Sequence, residues 1–234
     1  MAKMYGLFGS IKGKVADVVM SVRNGNQIVR KYQPMVYNPS TQGQVAARAK
    51  LKLISQLSAA MGSVIAIPRL GIVSARNQFT KVNYPAVTFN DTSDPQTAEV
   101  NLSDIKLTKS LVYLPALTST VNENEATVQL GAEDIDVDKV VYNVFQITQS
   151  KEIRLVSSQI VSTAGTFPAT VNINPARKFV CYAYGIRLNS AAARARFNNI
   201  SANDATLVAS LIANNTLADS DITLTETRFV DVNP

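Results

Sequence analysis

Lys139-Val140-Val141-Tyr142-Asn143-Val144-Phe145-Gln146-Ile147-Thr148 and Arg177-Lys178-Phe179-Val180-Cys181-Tyr182-Ala183-Tyr184-Gly185-Ile186 decide the fold. Both runs are rich in β-branched and aromatic residues and end at turn formers, the signature of strands. Working outward, 97–103, 109–114, 125–130, 152–158, 169–173 and 222–230 read the same way. Pro115, Asn122, Gly131, Gly165-Thr166 and Asn174-Pro175 punctuate them. Short strands at this spacing predict a mainly β fold with minor α. Over residues 91–234 they predict an antiparallel β-sandwich of immunoglobulin or fibronectin type. The chain has no tryptophan and one cysteine, so the architecture is argued without the usual hallmarks.

A long interruption sits between the last two strands. Residues 187–221 exceed what a sandwich loop needs and form an insertion. It holds Ala191-Ala192-Ala193-Arg194-Ala195-Arg196-Phe197 and a helix expected over 202–213, capped by Ser201 with Asp204. Such an insertion is a place for contact with another protein, or a cover for an open end of the sandwich.

Residues 1–90 read as a separate N-terminal domain. Ala16, Val18, Met20 and Val22 alternate with Asp17, Val19, Ser21 and Arg23 in the period of a half-buried strand. Asn24-Gly25 supplies a hairpin turn, and Gln27 to Tyr32 returns; Asn26 leaves the loop at two or three residues. Gly6, Gly9 and Gly13 precede the hairpin as a mobile or sharply turning lead-in. Asn38-Pro39 then breaks the strand, and Thr41 with Gln44 opens a helix. Ala46, Ala49, Leu53, Leu57, Ala60 and Val64 make its apolar stripe, and Gly62 and Pro68 end it. A shorter helix is expected from Val73 to Val82, stopped by Pro85.

The residue inventory argues against an enzyme. With no histidine, the commonest acid–base group near neutral pH is missing. The lone Cys181 lies in an apolar run with no activating base and reads as a core residue. Cys/His zinc sites are excluded by count. No Gly-x-Gly-x-x-Gly, Walker-type Gly-Lys-Ser/Thr or Gly-x-Ser-x-Gly occurs; Gly13-Lys14-Val15 lacks the hydroxyl. Glu133-Asp134-Ile135-Asp136-Val137-Asp138 has the look of a calcium loop, but Lys139 and Phe145 stand at its glycine and bidentate glutamate positions. It reads instead as a solvated turn or an interface patch. No catalytic residue, cofactor or metal is expected. The first residues lack a signal-peptide core, and no apolar run approaches a membrane span; no membrane association is expected.

Charge carries the functional signal. Residues 1–81 hold 12 Lys/Arg against the single acid Asp17, whereas 91–138 hold ten acids against Lys106 and Lys109. Such segregation implies an electrostatic partner for each part. The candidate interaction residues are Lys12, Lys14, Arg23, Arg30, Lys31, Arg48 and Lys52, with Arg194 and Arg196 in the insertion; Lys50 falls nearer the apolar flank. Aromatic interleaving around Phe8, Tyr32 and Tyr37 is sparse, which favours a protein partner over nucleic acid. Nucleic-acid binding is expected to be weak and nonspecific.

The stretch Gly9-Ser10-Ile11-Lys12-Gly13-Lys14-Val15-Ala16-Asp17-Val18-Val19, with Asn24-Gly25-Asn26-Gln27-Ile28-Val29-Arg30 and Asn38-Pro39-Ser40-Thr41-Gln42-Gly43-Gln44-Val45-Ala46-Ala47-Arg48, resembles a family from Bacteroidota genomes and their crAss-like gut phages. That family joins a "GkvGnvV…nGk.ivR" hairpin to an "NPrTeaQ…R" helix and a β-sandwich. Ala16 departs from it, standing where the pattern has a second glycine. The resemblance is good over about residues 6–60 and loose beyond. It implies a virion structural protein that forms a homo-oligomeric ring at the portal or tail connector, beside portal or adjacent ring proteins. It also implies assembly in the host bacterial cytoplasm. Separately, the charge segregation and the glycine-led hairpin lead to the expectation that residues 6–32 clasp a neighbouring copy head to tail, and that residues 187–221 meet a different protein.

Overall fold

The computed structural model describes residues 2–4, 13–23, 26–33, 40–90, 94, 97–131, 136–162, 166–199, 204–216 and 221–232. The chain divides into two compact units, Met1–Gln44 and Val45–Pro234.

In the first unit, β1 (Ala2–Met4), β2 (Gly13–Val15), β3 (Val18–Arg23) and β4 (Asn26–Lys31) form an antiparallel sheet in the order β1-β4-β3-β2. Arg23 lies opposite Asn26, and the expected turn residues Asn24 and Gly25 lie outside the described residues. Ala16 is not part of the strand that its alternation suggested. Val15 pairs with Val18, so Ala16-Asp17 is itself a two-residue turn, and Tyr32 N donates to Asp17 O at 2.6 Å. Ala16 adopts φ 50°, the left-handed region that costs an L-residue roughly 1–2 kcal/mol. A glycine would occupy this turn without that penalty. Ala16→Gly is expected to stabilise the first unit by roughly 1 kcal/mol, read as about fivefold slower exchange of the Tyr32 amide.

The second unit opens inside α1 (Gln42–Ala60), followed by α2 (Ala75–Asn83) and the β5 (Val87–Phe89) and β6 (Ala98–Val100) ribbon. Residues 45–90, expected in a separate N-terminal domain, thus share a compact unit with the sandwich. The physical reason is the apolar stripe: Ile54 and Leu57 of α1 and Phe79 of α2 bury in one core with Val141 and Tyr182.

The sandwich strands are β7 (Leu117–Asn122), β8 (Glu125–Leu130), β9 (Lys139–Ile147), β10 (Ile153–Val161), β11 (Ala169–Asn172) and β12 (Lys178–Leu188). Then come α3 (Ala191–Asn199), α4 (Ala205–Ala213), β13 (Ile222–Leu224) and β14 (Arg228–Asp231). One sheet runs β11-β8-β7; the other runs β10-β9-β12, with β13 and β14 both pairing β12. All pairings are antiparallel. Setting β13 aside, the first, second and fifth sandwich strands share one sheet and the fourth, third, sixth and seventh the other. This is a fibronectin-type connectivity within the antiparallel sandwich of immunoglobulin or fibronectin type expected from the sequence. The insertion follows the sixth strand at residue 189, because Arg187 and Leu188 of the expected 187–221 stretch belong to β12.

The large sheet is buried on both faces. Tyr142, Val144, Cys181 and Ala183 point to the small sheet and pack with Ala126, Val128 and Val171. Val141, Phe145, Val180, Tyr182 and Tyr184 point the other way, into a core with α1, α2, Phe197 of α3, and Val208 and Ile212 of α4. The insertion helices therefore cover a sheet face. α4 is capped by Asp204, whose carboxylate accepts from the Thr206 and Leu207 amides, both at 3.0 Å. The Thr206 hydroxyl is the first cause holding that carboxyl below its ordinary pKa. Ser201, the expected cap, lies outside the described residues.

Two strand expectations fail. Residues 109–114 form no strand; Leu111, Val112 and Tyr113 are exposed on a loop. The single strand 222–230 is split between β13 and β14, where hydroxyls take over. Leu107 and Thr108 amides donate to Thr227 Oγ1 at 2.8 and 3.0 Å, and the Thr108 hydroxyl donates to Thr225 O at 2.7 Å.

Candidate functional site

In the first unit the strand period sorts the basic residues by face. Lys14 sits opposite Val19, and Val19 opposite Arg30, so Lys14 and Arg30 share a face. Lys31 alternates to the other, beside Val18. The Lys14 ammonium stands 3.6 Å from the centroid of the Tyr32 ring, a cation–π contact on the Lys14–Arg30 face. Arg23 closes β3, and its side chain lies outside the described residues, as does Lys12 altogether. The opposite face carries Val18, Met20, Val22 and Val29, all half-buried, with Gln27 and the exposed Lys31. A sheet with cations on both faces and an apolar cluster on one is suited to contact.

The second unit has its own cationic surface. Arg48 and Lys52 lie one turn apart on α1 and are exposed. Lys50 is half-buried, its ammonium 5.5 and 5.3 Å from the Tyr84 and Phe89 ring centroids. From α2, Arg76 donates to Ser58 Oγ at 2.9 Å and Ser55 O at 3.2 Å, tying the two helices together. Arg76 and Lys81 of α2, both exposed, extend the positive surface. No acid occurs anywhere in residues 40–90.

The insertion arginines behave differently. Arg194 pairs with Asp138 at 3.2 Å, and Asp138 also accepts from the Leu188 amide at 2.7 Å. Arg194 thus fastens α3 to the start of β9 instead of presenting a free charge. The side chain of Arg196 lies outside the described residues. Asp136 pairs likewise with Arg187 at 2.6 Å, so part of the acidic segment is neutralised within the chain. Glu133 and Asp134 lie outside the described residues.

Cys181 is fully enclosed in β12 between the sheets, and burial pushes its thiol up to about 12. A thiol so far from ionisation is a poor nucleophile at neutral pH. Among the described residues, no cluster of three acidic, cysteine or histidine side chains is placed to hold a metal ion. No described helix is long and apolar enough to cross a membrane.

An open groove of about 650 Å³ lies among Pro68–Gly71, Gln78, Lys109-Ser110, Ile212, Asn215 and Ile222–Leu224. Its walls come from three stretches far apart in sequence, within 68–78, 109–110 and 212–224, and no pattern in any one of them signals it.

Searched against protein-family models and against curated proteins, the chain matches none.

Proposed function

We propose that this chain is a non-enzymatic structural subunit of a phage virion, forming a ring at the portal or tail connector through contacts between copies. The sequence resemblance over residues 6–60 supports the virion role. The observation that carries the assembly reading is the first unit: a small sheet, compact by itself, with Lys14 and Arg30 on one face and an apolar cluster edged by Lys31 on the other. Its two long strands are already paired on both sides, by β1 and β2. The clasp therefore works through these faces and the three-residue outer strands, not through addition of β3 or β4 to a neighbour's sheet. Contact between two different patches of successive copies is heterologous and closes into a ring when the rotation permits. The acidic 91–138 segment supplies the charge complement that steers such contacts.

The acid-free α1–α2 surface favours a second reading, a nucleic-acid-binding module. The two are separated by measuring the mass of the purified protein in solution, with and without duplex DNA. A closed oligomer without DNA, dissociated by charge reversal at Lys14 and Arg30, is the expected result. A monomer at high concentration would overturn assembly through its own copies. Sub-micromolar DNA binding at physiological salt, with log affinity falling steeply against log salt and lost in Arg48→Glu/Lys52→Glu, would establish the second reading instead.

A further inference from the structure

We propose that the groove beside β13 receives an extended segment of a partner protein, built of alternating apolar and acidic residues, which adds as a strand to the free edge of the large sheet. This rests on the assembly reading above and specifies how the insertion side of the subunit meets a different protein.

The first observation is an unused sheet edge. Asn189 N donates to Asp221 O and Thr225 N to Gly185 O, both at 3.0 Å, with Arg187 opposite Thr223 between them. In an antiparallel pair bonded positions alternate, so Ile222 and Leu224 turn their N–H and C=O groups away from β12. No other hydrogen bond among the described residues takes up those groups. They face the groove that Ile222, Thr223 and Leu224 help to line.

The edge also has a defined end. Beyond it the chain is already covered: Glu226 N donates to Val112 O at 2.7 Å, and the Thr108 hydroxyl holds Thr225 O. An incoming strand has room along β13 and stops where the 107–113 loop begins.

The second observation is the apolar part of the walls. Leu70, 66% exposed, lines the groove with Pro68, Ile212, Ile222 and Leu224. Exposed apolar side chains at a groove mark a contact site. Ile72 and Leu111, 82% and 92% exposed, directly follow the lining residues Gly71 and Ser110 in the chain. Alternate side chains of an added strand would enter here while its backbone bonds the edge.

The third observation is charge. Arg69 and Lys109 line the groove, both exposed, and no acid among the described residues lines it. Neither cation has an ion-pair partner among the described residues. This complementarity selects a segment bearing carboxylates, and argues against the basic first unit of another copy as the occupant. A three-residue edge resists indiscriminate pairing, so the side-chain contacts and the two cations must supply the selectivity.

The test uses the full chain and a fluorescein-labelled decapeptide of alternating valine and glutamate, followed by anisotropy. Saturable micromolar binding is expected, about tenfold weaker when lysine replaces glutamate. N-methylation of either the valine amides or the glutamate amides, but not both sets, should abolish it, because only one set faces the edge. Arg69→Glu/Lys109→Glu should invert the preference between the two peptides, and Leu70→Asp should weaken both. These positions are exposed, and circular dichroism checks that the variants fold. No saturation at millimolar peptide, or unchanged binding in the charge-reversed variant, overturns the docking site. The mass of the protein alone is scored separately. A ring that binds no peptide retains the assembly reading and loses this site; a monomer that binds it does the reverse.

Discussion

Tyr182→Ala is expected to cost about 3–5 kcal/mol, the range for deleting a large buried aromatic side chain and a large fraction of a domain's total stability. Tyr182 is fully buried at the middle of β12, where the sheet meets the helical layer. Its ring meets Phe145 edge-on at 5.8 Å and Phe229 at 5.4 Å, and its hydroxyl donates to Leu102 O at 2.9 Å. Truncation removes these contacts and leaves a carbonyl without its donor. Tyr182→Phe keeps the ring and loses only the hydrogen bond, so a smaller loss of about 1–2 kcal/mol is expected. Urea unfolding followed by circular dichroism measures both. Equal losses in the two variants would show that the hydroxyl, not the aromatic packing, carries the contribution.

Gly185→Val is expected to destabilise by about 3 kcal/mol, for the opposite reason. A Cβ built on Gly185 would stand 2.7 Å from Val137 Cγ1 and 3.0 Å from Thr225 Cγ2. The same glycine donates its N–H to Thr225 Oγ1 at 2.7 Å, so the close approach serves a hydrogen bond at the split between β13 and β14. A branched side chain pushes both neighbours away and opens that junction. Gly43→Ala on α1, where nothing lies within 4 Å, is the control, expected to gain about 1 kcal/mol or less. Thermal unfolding of the three proteins side by side reads the sign of each change; a neutral Gly185→Val would mean that Val137 moves aside freely.

Much of the sandwich was legible because its strands are short, apolar and separated by turn formers. The residue pattern also disclosed, without explanation, a departure from simple alternation. β9 and β12 are nearly continuous apolar runs, and the structure shows why: each is buried on both faces, by the small sheet and by helices. A one-sided sandwich gives no reason for Val140-Val141 or for Tyr182 and Tyr184 beside Cys181 and Ala183. The same apolar criterion misled at Leu111-Val112-Tyr113, where hydrophobicity reflects an exposed surface and not a strand. It also passed over β7, whose Thr118, Ser119 and Thr120 make it look polar although Leu117 is buried and its partner strand supplies Ala126, Val128 and Leu130. Charge was readable as a count but not as geometry. Nothing in the sequence of Arg194 distinguishes an arginine held by Asp138 from a free one, whereas Arg69 and Lys109 meet only through tertiary structure.

The placement of β14 bears on how the chain comes to be made. β14 pairs with Val180–Ala183 of β12, Phe229 packs in the helical core, and Val232 is buried between the sheets. A single late segment thus seals both cores, across more than forty intervening residues. Until residue 232 leaves the ribosome, the nascent chain cannot complete either core, and the Tyr182 face stays open to wrong partners. Folding dominated by such distant pairings is slow. Translation rate and chaperone capture are therefore expected to affect the yield of this protein alongside the stability of its fold.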